Sequence, residues 1–185
     1  MKIVVRTLTA LAFGLCVSQA NATVYNVSAT IGTGGVSGFL QTDGTVGTLS
    51  DANFTDWNLA LTTNGIDSLN LLGPLSGNNS QEGIFGTGLS ATATGLFFDF
   101  SLPPSNYVLI QKPVLGSGTD FLCLNGCGAS VAIGIGDART FEFDLTGNRE
   151  IGTAATPLPA ALPLFAGGLG VIGLIARRRN RKQPV

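Results

Sequence analysis

The side chains that could do chemistry are few, and one absence limits them most: the chain contains no histidine. Ser-His-Asp and Cys-His catalysis and histidine-based metal sites are excluded with it. Carboxylates and cysteines remain. Glu142 and Asp144 stand two apart in the run Phe141 to Leu145. On a strand that spacing puts both carboxyls on one face, about 7 Å apart, a separation glycosidases use. Alternating acids more commonly form the wet face of a strand, and we read them so; no catalytic residue is assigned. Asp51, Asp56 and Asp67 could contribute to a calcium site, but no EF-hand or Asp-rich repeat spacing surrounds them. No metal and no cofactor are expected. The Gly-x-Gly pairs at Gly32, Gly86, Gly116 and Gly134 read as turns and strand kinks, because none opens a βαβ unit.

Lys2 and Arg6 precede an apolar run from Leu8 to Val17, and Ala20-Asn21-Ala22 offers an A-x-A cleavage site. That is a secretory signal peptide over residues 1–22, cut after Ala22 or alternatively after Ala20. Cys16 leaves with it. The two remaining cysteines, Cys123 and Cys127, then form an even pair outside the cytoplasm and read as a disulfide. Asn125-Gly126 between them is a turn signal, which predicts the thiols facing each other across a tight hairpin. Closing so small a loop contributes only about 2 kcal/mol. A redox or metal pair is the rival reading; the missing Cys-x-x-Cys spacing counts against it.

The elements that must position these groups lie in residues 23–155, one domain's worth of chain and enough to bury a core. This section holds all eleven acidic residues against Lys112, Arg139 and Arg149, a net charge of about −8. Nucleic acid and anionic lipid are therefore not expected partners. Short apolar runs between Gly, Asn, Ser and Pro breaks predict strands. We place them at Val24–Thr30, Val36–Gln41, Thr45–Leu49, Phe54–Leu61, Ile66–Leu72, Leu89–Phe100, Tyr107–Lys112, Ser130–Gly134 and Arg139–Leu145. Asn64-Gly65 is the clearest two-residue hairpin. Alternation gives Trp57, Leu59 and Leu61 one face, and puts Phe141, Phe143 and Leu145 inside with Glu142 and Asp144 outside. The fold class is all-β, an antiparallel β-sandwich of roughly eight to ten strands. Trp57 is read as core rather than as a sugar platform, and Tyr25 and Tyr107 as isolated. Asn-x-Ser/Thr triplets such as Asn26 to Ser28 carry no glycosylation reading.

The tail, residues 156–185, has its own logic. Ala160 to Ala176 is free of charge, and at about 1.5 Å per residue it reaches roughly 25 Å, the short end of what crosses a bilayer. Its Leu, Ile, Val and Phe side chains favour insertion by about 2–5 kcal/mol, less what Pro163 and the glycines take back. Arg177, Arg178, Arg179, Arg181 and Lys182 follow and place the C-terminus in the cytoplasm. Pro157 and Pro159 keep Thr156 to Pro159 extended, open to a protease groove. Ala166, Gly167, Gly170 and Gly173 form a smooth stripe, either a docking face for another helix or the ordinary glycine content of membrane helices.

Thr156-Pro157-Leu158-Pro159-Ala160, the glycine-rich apolar helix and the arginine run together resemble the PEP-CTERM sorting tail in its VPLPA variant, with Thr156 where Val is usual. The segments Phe39 to Leu49, Asn53 to Leu59 and Leu71 to Gly77 are also similar to a pattern recurrent in PEP-CTERM ectodomains. The resemblance implies an exosortase, an inner-membrane protease, as partner. It implies an anchored precursor with a periplasmic ectodomain, then transfer to the cell surface or medium with an association to exopolysaccharide and biofilm matrix. The expected function is a non-enzymatic surface or matrix protein. A carbohydrate-binding module using the loops Gly73–Gly83 and Pro103–Gly118 is the alternative, and a hydrolase using Glu142 and Asp144 the third.

Overall fold

Alternation of apolar and polar side chains makes the longest strands. Across Phe54–Thr63 (β4) the side chains of Trp57, Leu59, Leu61 and Thr63 are buried while Asn58, Ala60 and Thr62 are less so. In Thr23–Ile31 (β1) Tyr25, Val27 and Ile31 turn inward. The computed structural model describes residues 22–64 and 67–155, and within them thirteen strands and one 3-10 turn, Asp51–Asn53. The other strands are Gly34–Thr42 (β2), Gly47–Thr48 (β3), Asp67–Leu72 (β5), Gln81–Phe85 (β6), Leu89–Ala91 (β7), Gly95–Asp99 (β8), Tyr107–Lys112 (β9), Asp120–Leu124 (β10), Val131–Ile135 (β11), Ala138–Glu142 (β12) and Asn148–Ala154 (β13).

Two antiparallel sheets face each other. The larger runs β3-β7-β8-β13-β1-β2-β4-β5 and the smaller β12-β11-β10-β9-β6. Their inner faces supply one core, with Leu59, Leu61, Leu71 and Leu96 from the first and Ile110 and Ile133 from the second. The β-sandwich expectation holds, with more strands than the roughly eight to ten anticipated. Leu89–Phe100 is two strands rather than one: the Thr92 hydroxyl accepts the amide hydrogens of Thr94 and Gly95 and bends the chain between them. Strands β6, β10 and β13 fall where none was expected. The signal segment before Ala22, the Thr156–Ala160 motif, the 160–176 helix, the basic cluster and the Gly65-Ile66 part of the Asn64 turn lie outside the described residues. No helix among the described residues is long and apolar enough to cross a membrane.

One inward carboxylate tests the packing. Glu82 on β6 pairs with buried Ile110 on the same face. Burial pushes its carboxyl above the ordinary Glu range, a backbone hydrogen bond opposes this, and the nearby charge of Asp51 adds to the rise. A raised folded value means the charged form is disfavoured in the fold, so stability falls as pH climbs from the ordinary Glu value through the raised one. Glu82→Gln therefore raises the thermal midpoint at neutral pH and leaves it unchanged in acid, below the carboxylate range. An equal shift at both pH values would remove this explanation.

Candidate functional site

The larger sheet parts in its middle. β1 and β13 pair only at Tyr25↔Ala154 and Asn26↔Thr153. Beyond that, β1 continues with β2 as far as Ile31↔Gly34, while β13 continues with β8 as far as Asn148↔Asp99 and bulges between Glu150 and Gly152. Gly152 stands near the vertex. A Cβ there would lie 3.2 Å from the Cβ of Tyr25 and 3.3 Å from the Asn26 carbonyl oxygen, so only glycine lets the two strands come this close without a shift.

Below the parting is a cavity of about 560 Å³, inside the usual range for small-molecule sites. Its walls are apolar and come from both sheets, among them Val27, Leu40, Ile110, Leu122, Leu124 and Val131. Residual exposure traces it: Leu124 keeps 8%, Val27 7% and Leu122 6%, whereas Leu59, Leu61 and Leu71 on the far side of the core are at 0%. The rim is polar. Glu142 accepts the Gly32 amide hydrogen at 3.3 Å, Arg149 donates through Nε to the Thr146 carbonyl at 3.0 Å, and the Thr153 hydroxyl donates to Glu150 at 3.2 Å. An apolar box with a hydrogen-bonding rim suits binding of an apolar body. Among the described residues no three His, Cys, Asp or Glu side chains gather to hold a metal ion.

The structure does not set Glu142 and Asp144 side by side on a strand. β12 ends at Glu142, and Asp144 lies beyond it at φ 63°, which breaks the extended run their spacing needed. The expected facing also fails at the two phenylalanines, although Leu145 packs against the core and Asp144 is exposed as expected. Phe141 is 40% exposed and Phe143 57%. Thr140 points inward instead, its hydroxyl donating to the Ile31 carbonyl at 2.7 Å and accepting the Thr33 amide hydrogen at 3.1 Å. The physical cause is the neighbour: the inward side of β12 meets the polar backbone of the β1–β2 turn, which needs hydrogen-bonding side chains.

Two of the three aspartates weighed for calcium, Asp56 and Asp51, accept backbone amide hydrogens. Asp56 accepts the amide hydrogens of Leu75 and Ser76 at 3.0 and 3.1 Å and the Ser76 hydroxyl at 2.6 Å. Asp51 accepts the Ile84 amide hydrogen. The Asp67 side chain lies outside the described residues. Cys123 and Cys127 are joined, but not across a tight hairpin. Leu124↔Val131 closes the β10–β11 pair, so Cys123 sits on a strand and Cys127 within the wider loop 125–130. Asn125, at φ 62°, donates through its side chain to the carbonyls of Leu102 and Asn106 at 3.1 and 3.0 Å and ties that loop to the next.

Trp57 is core, 2% exposed, its Nε1 donating to the Ser80 hydroxyl at 2.8 Å. Tyr25 is buried with its hydroxyl on the Thr92 carbonyl at 2.9 Å. Tyr107 is not isolated. It stacks on Phe85 with ring centroids 4.2 Å apart, a pairing hidden in the sequence because β6 falls where a loop was expected. The cavity was equally hidden, since it exists where strand pairing stops, and no residue pattern marks that point. The chain matches no family model, no curated protein and no solved structure.

Proposed function

We propose that this is an exported, non-enzymatic surface or matrix protein, sorted by an exosortase-type membrane protease that reads Thr156 to Ala160. Before processing, the 160–176 helix holds it at the inner membrane with the sandwich in the periplasm; afterwards it belongs to the cell surface or the extracellular polysaccharide. One observation carries the reading furthest. β13 ends at Ala154, and the Ala155 amide donates to the Val24 carbonyl at 2.7 Å, so the start of β1 and the end of β13 lie side by side in the middle of the larger sheet. Thr156 is the next residue. Every strand among the described residues therefore lies between Thr23 and Ala154, ahead of the motif, which accords with removal of a leader and a tail that leaves the sandwich whole. The Cys123–Cys127 bond accords with an oxidising compartment.

The test is a double variant, Pro157→Ala with Pro159→Ala, in the producing cell. Loss of the extended motif should keep the tail on the protein and the protein in the membrane fraction. Unchanged release of both forms would defeat the proposal. A carbohydrate-binding role is the second reading, favoured by the stacked Phe85 and Tyr107 and the 42% exposure of Phe85. The pair spends one ring face on each partner, which leaves less area for a sugar than an open platform has.

A further inference from the structure

We propose that the cavity beneath the parted sheet holds the hydrocarbon body of a single-chain amphiphile with an uncharged head, of the long-chain alcohol kind. The body is set by the walls. The inner walls of this open void of about 560 Å³, Leu, Val and Ile from both sheets, lack packing partners on the void side, and an apolar occupant supplies them. The route in is set by β1. Val27 and Ile31 line the void from the core side, while Asn26, Ser28 and Thr30, whose side chains point outward, line it too. The void therefore runs past the edge of β1 from the interior to the surface, and a chain can lie inside with its head in water.

The head is set by the rim. The uncharged polar residues Asn26, Ser28, Thr30 and Thr153 line the void at the surface. The carboxylates of Glu142 and Glu150 outnumber the single guanidinium of Arg149, part of which is given to the Thr146 carbonyl. An anionic head meets net repulsion there and from a domain of charge about −8. This site is independent of the export reading, and either can fail without the other.

The test takes the full chain as exported and a diazirine-bearing dodecanol as probe. Ultraviolet labelling should map to peptides of β1 or β10 and be suppressed by unlabelled dodecanol, with dodecanoate needing about tenfold more. Leu122→Trp, which fills the cavity, should cut that labelling about tenfold while the thermal midpoint holds or rises. Labelling confined to residues 156–185 or to the outer face around Phe85 would overturn the proposal, as would labelling that does not saturate. If Leu122→Trp fails to fold, the saturation and mapping in the parent chain decide alone. Equal competition by dodecanoate would overturn the assignment of the head.

Discussion

Trp57→Ala should lower the unfolding free energy by about 3–5 kcal/mol, the largest single loss expected in the domain. The indole is 2% exposed between the sheets, on the face it shares with Leu59 and Leu61. Truncation removes its transfer free energy and leaves a hole that strands β2 and β5, on either side of β4, cannot close. It also removes the Nε1–H that the buried Ser80 hydroxyl accepts at 2.8 Å, leaving that hydroxyl only its own donation to the Leu72 carbonyl at 3.0 Å. Trp57→Phe keeps much of the volume and loses the hydrogen bond, so it should cost about 1–3 kcal/mol. Urea denaturation of the two variants measures both. A loss below about 1 kcal/mol for the alanine would mean that Trp57 packs loosely and that a ligand-facing role should be reopened.

Asp56→Ala should cost about 3 kcal/mol, for a different reason. The carboxylate is only 5% exposed and holds down the turn after β5 through three hydrogen bonds, two from amides and one from the Ser76 hydroxyl. Gly73 lies directly over β4, its amide donating to the Trp57 carbonyl at 2.7 Å, and a Cβ on it would come within 2.6 Å of Asp56. Removing the acceptor takes the partner from the Leu75 amide and the Ser76 hydroxyl, leaves the Ser76 amide with only the Gly73 carbonyl at 3.2 Å, and loosens residues 73–78. Asp56→Asn keeps one accepting oxygen and should cost less, about 1 kcal/mol. Limited proteolysis adds a local readout: the alanine variant should be cut in this turn well before global unfolding. Resistance equal to the parent would show that the turn is held by its own backbone bonds to the Gly73 carbonyl.

These two residues also show how far sequence reading reached. Trp57 was legible because Trp-Asn-Leu-Ala-Leu alternates cleanly, and alternation reports directly which side of a strand is dry. The same signal gave Tyr107–Lys112 to the residue and β1, β2 and β4 to within two at each end. It failed in Asn148–Ala154, where one isoleucine stands among polar and small residues, and in Gln81–Phe85, where Gly83 interrupts. At Phe141 to Leu145 alternation was present and misleading, because the wet side of the strand faced a polar turn rather than solvent. The role of Asp56 was not legible, because its partners, residues 75 and 76, are distant in sequence and mostly backbone. The cavity had no sequence signature at all. It depends on a pairing that stops after Asn26, which only the three-dimensional register reveals.

The tail stands apart, readable as chemistry from its prolines, its uncharged apolar run and its arginines. Export and tail processing therefore rest on that segment together with the joined ends of the sandwich. The most direct measurement is mass spectrometry of the protein recovered from the producing cells and their medium, mapping the C-terminal peptide. Processing predicts a terminus between Thr156 and Ala160; a peptide running intact through Val185 in both fractions would contradict it.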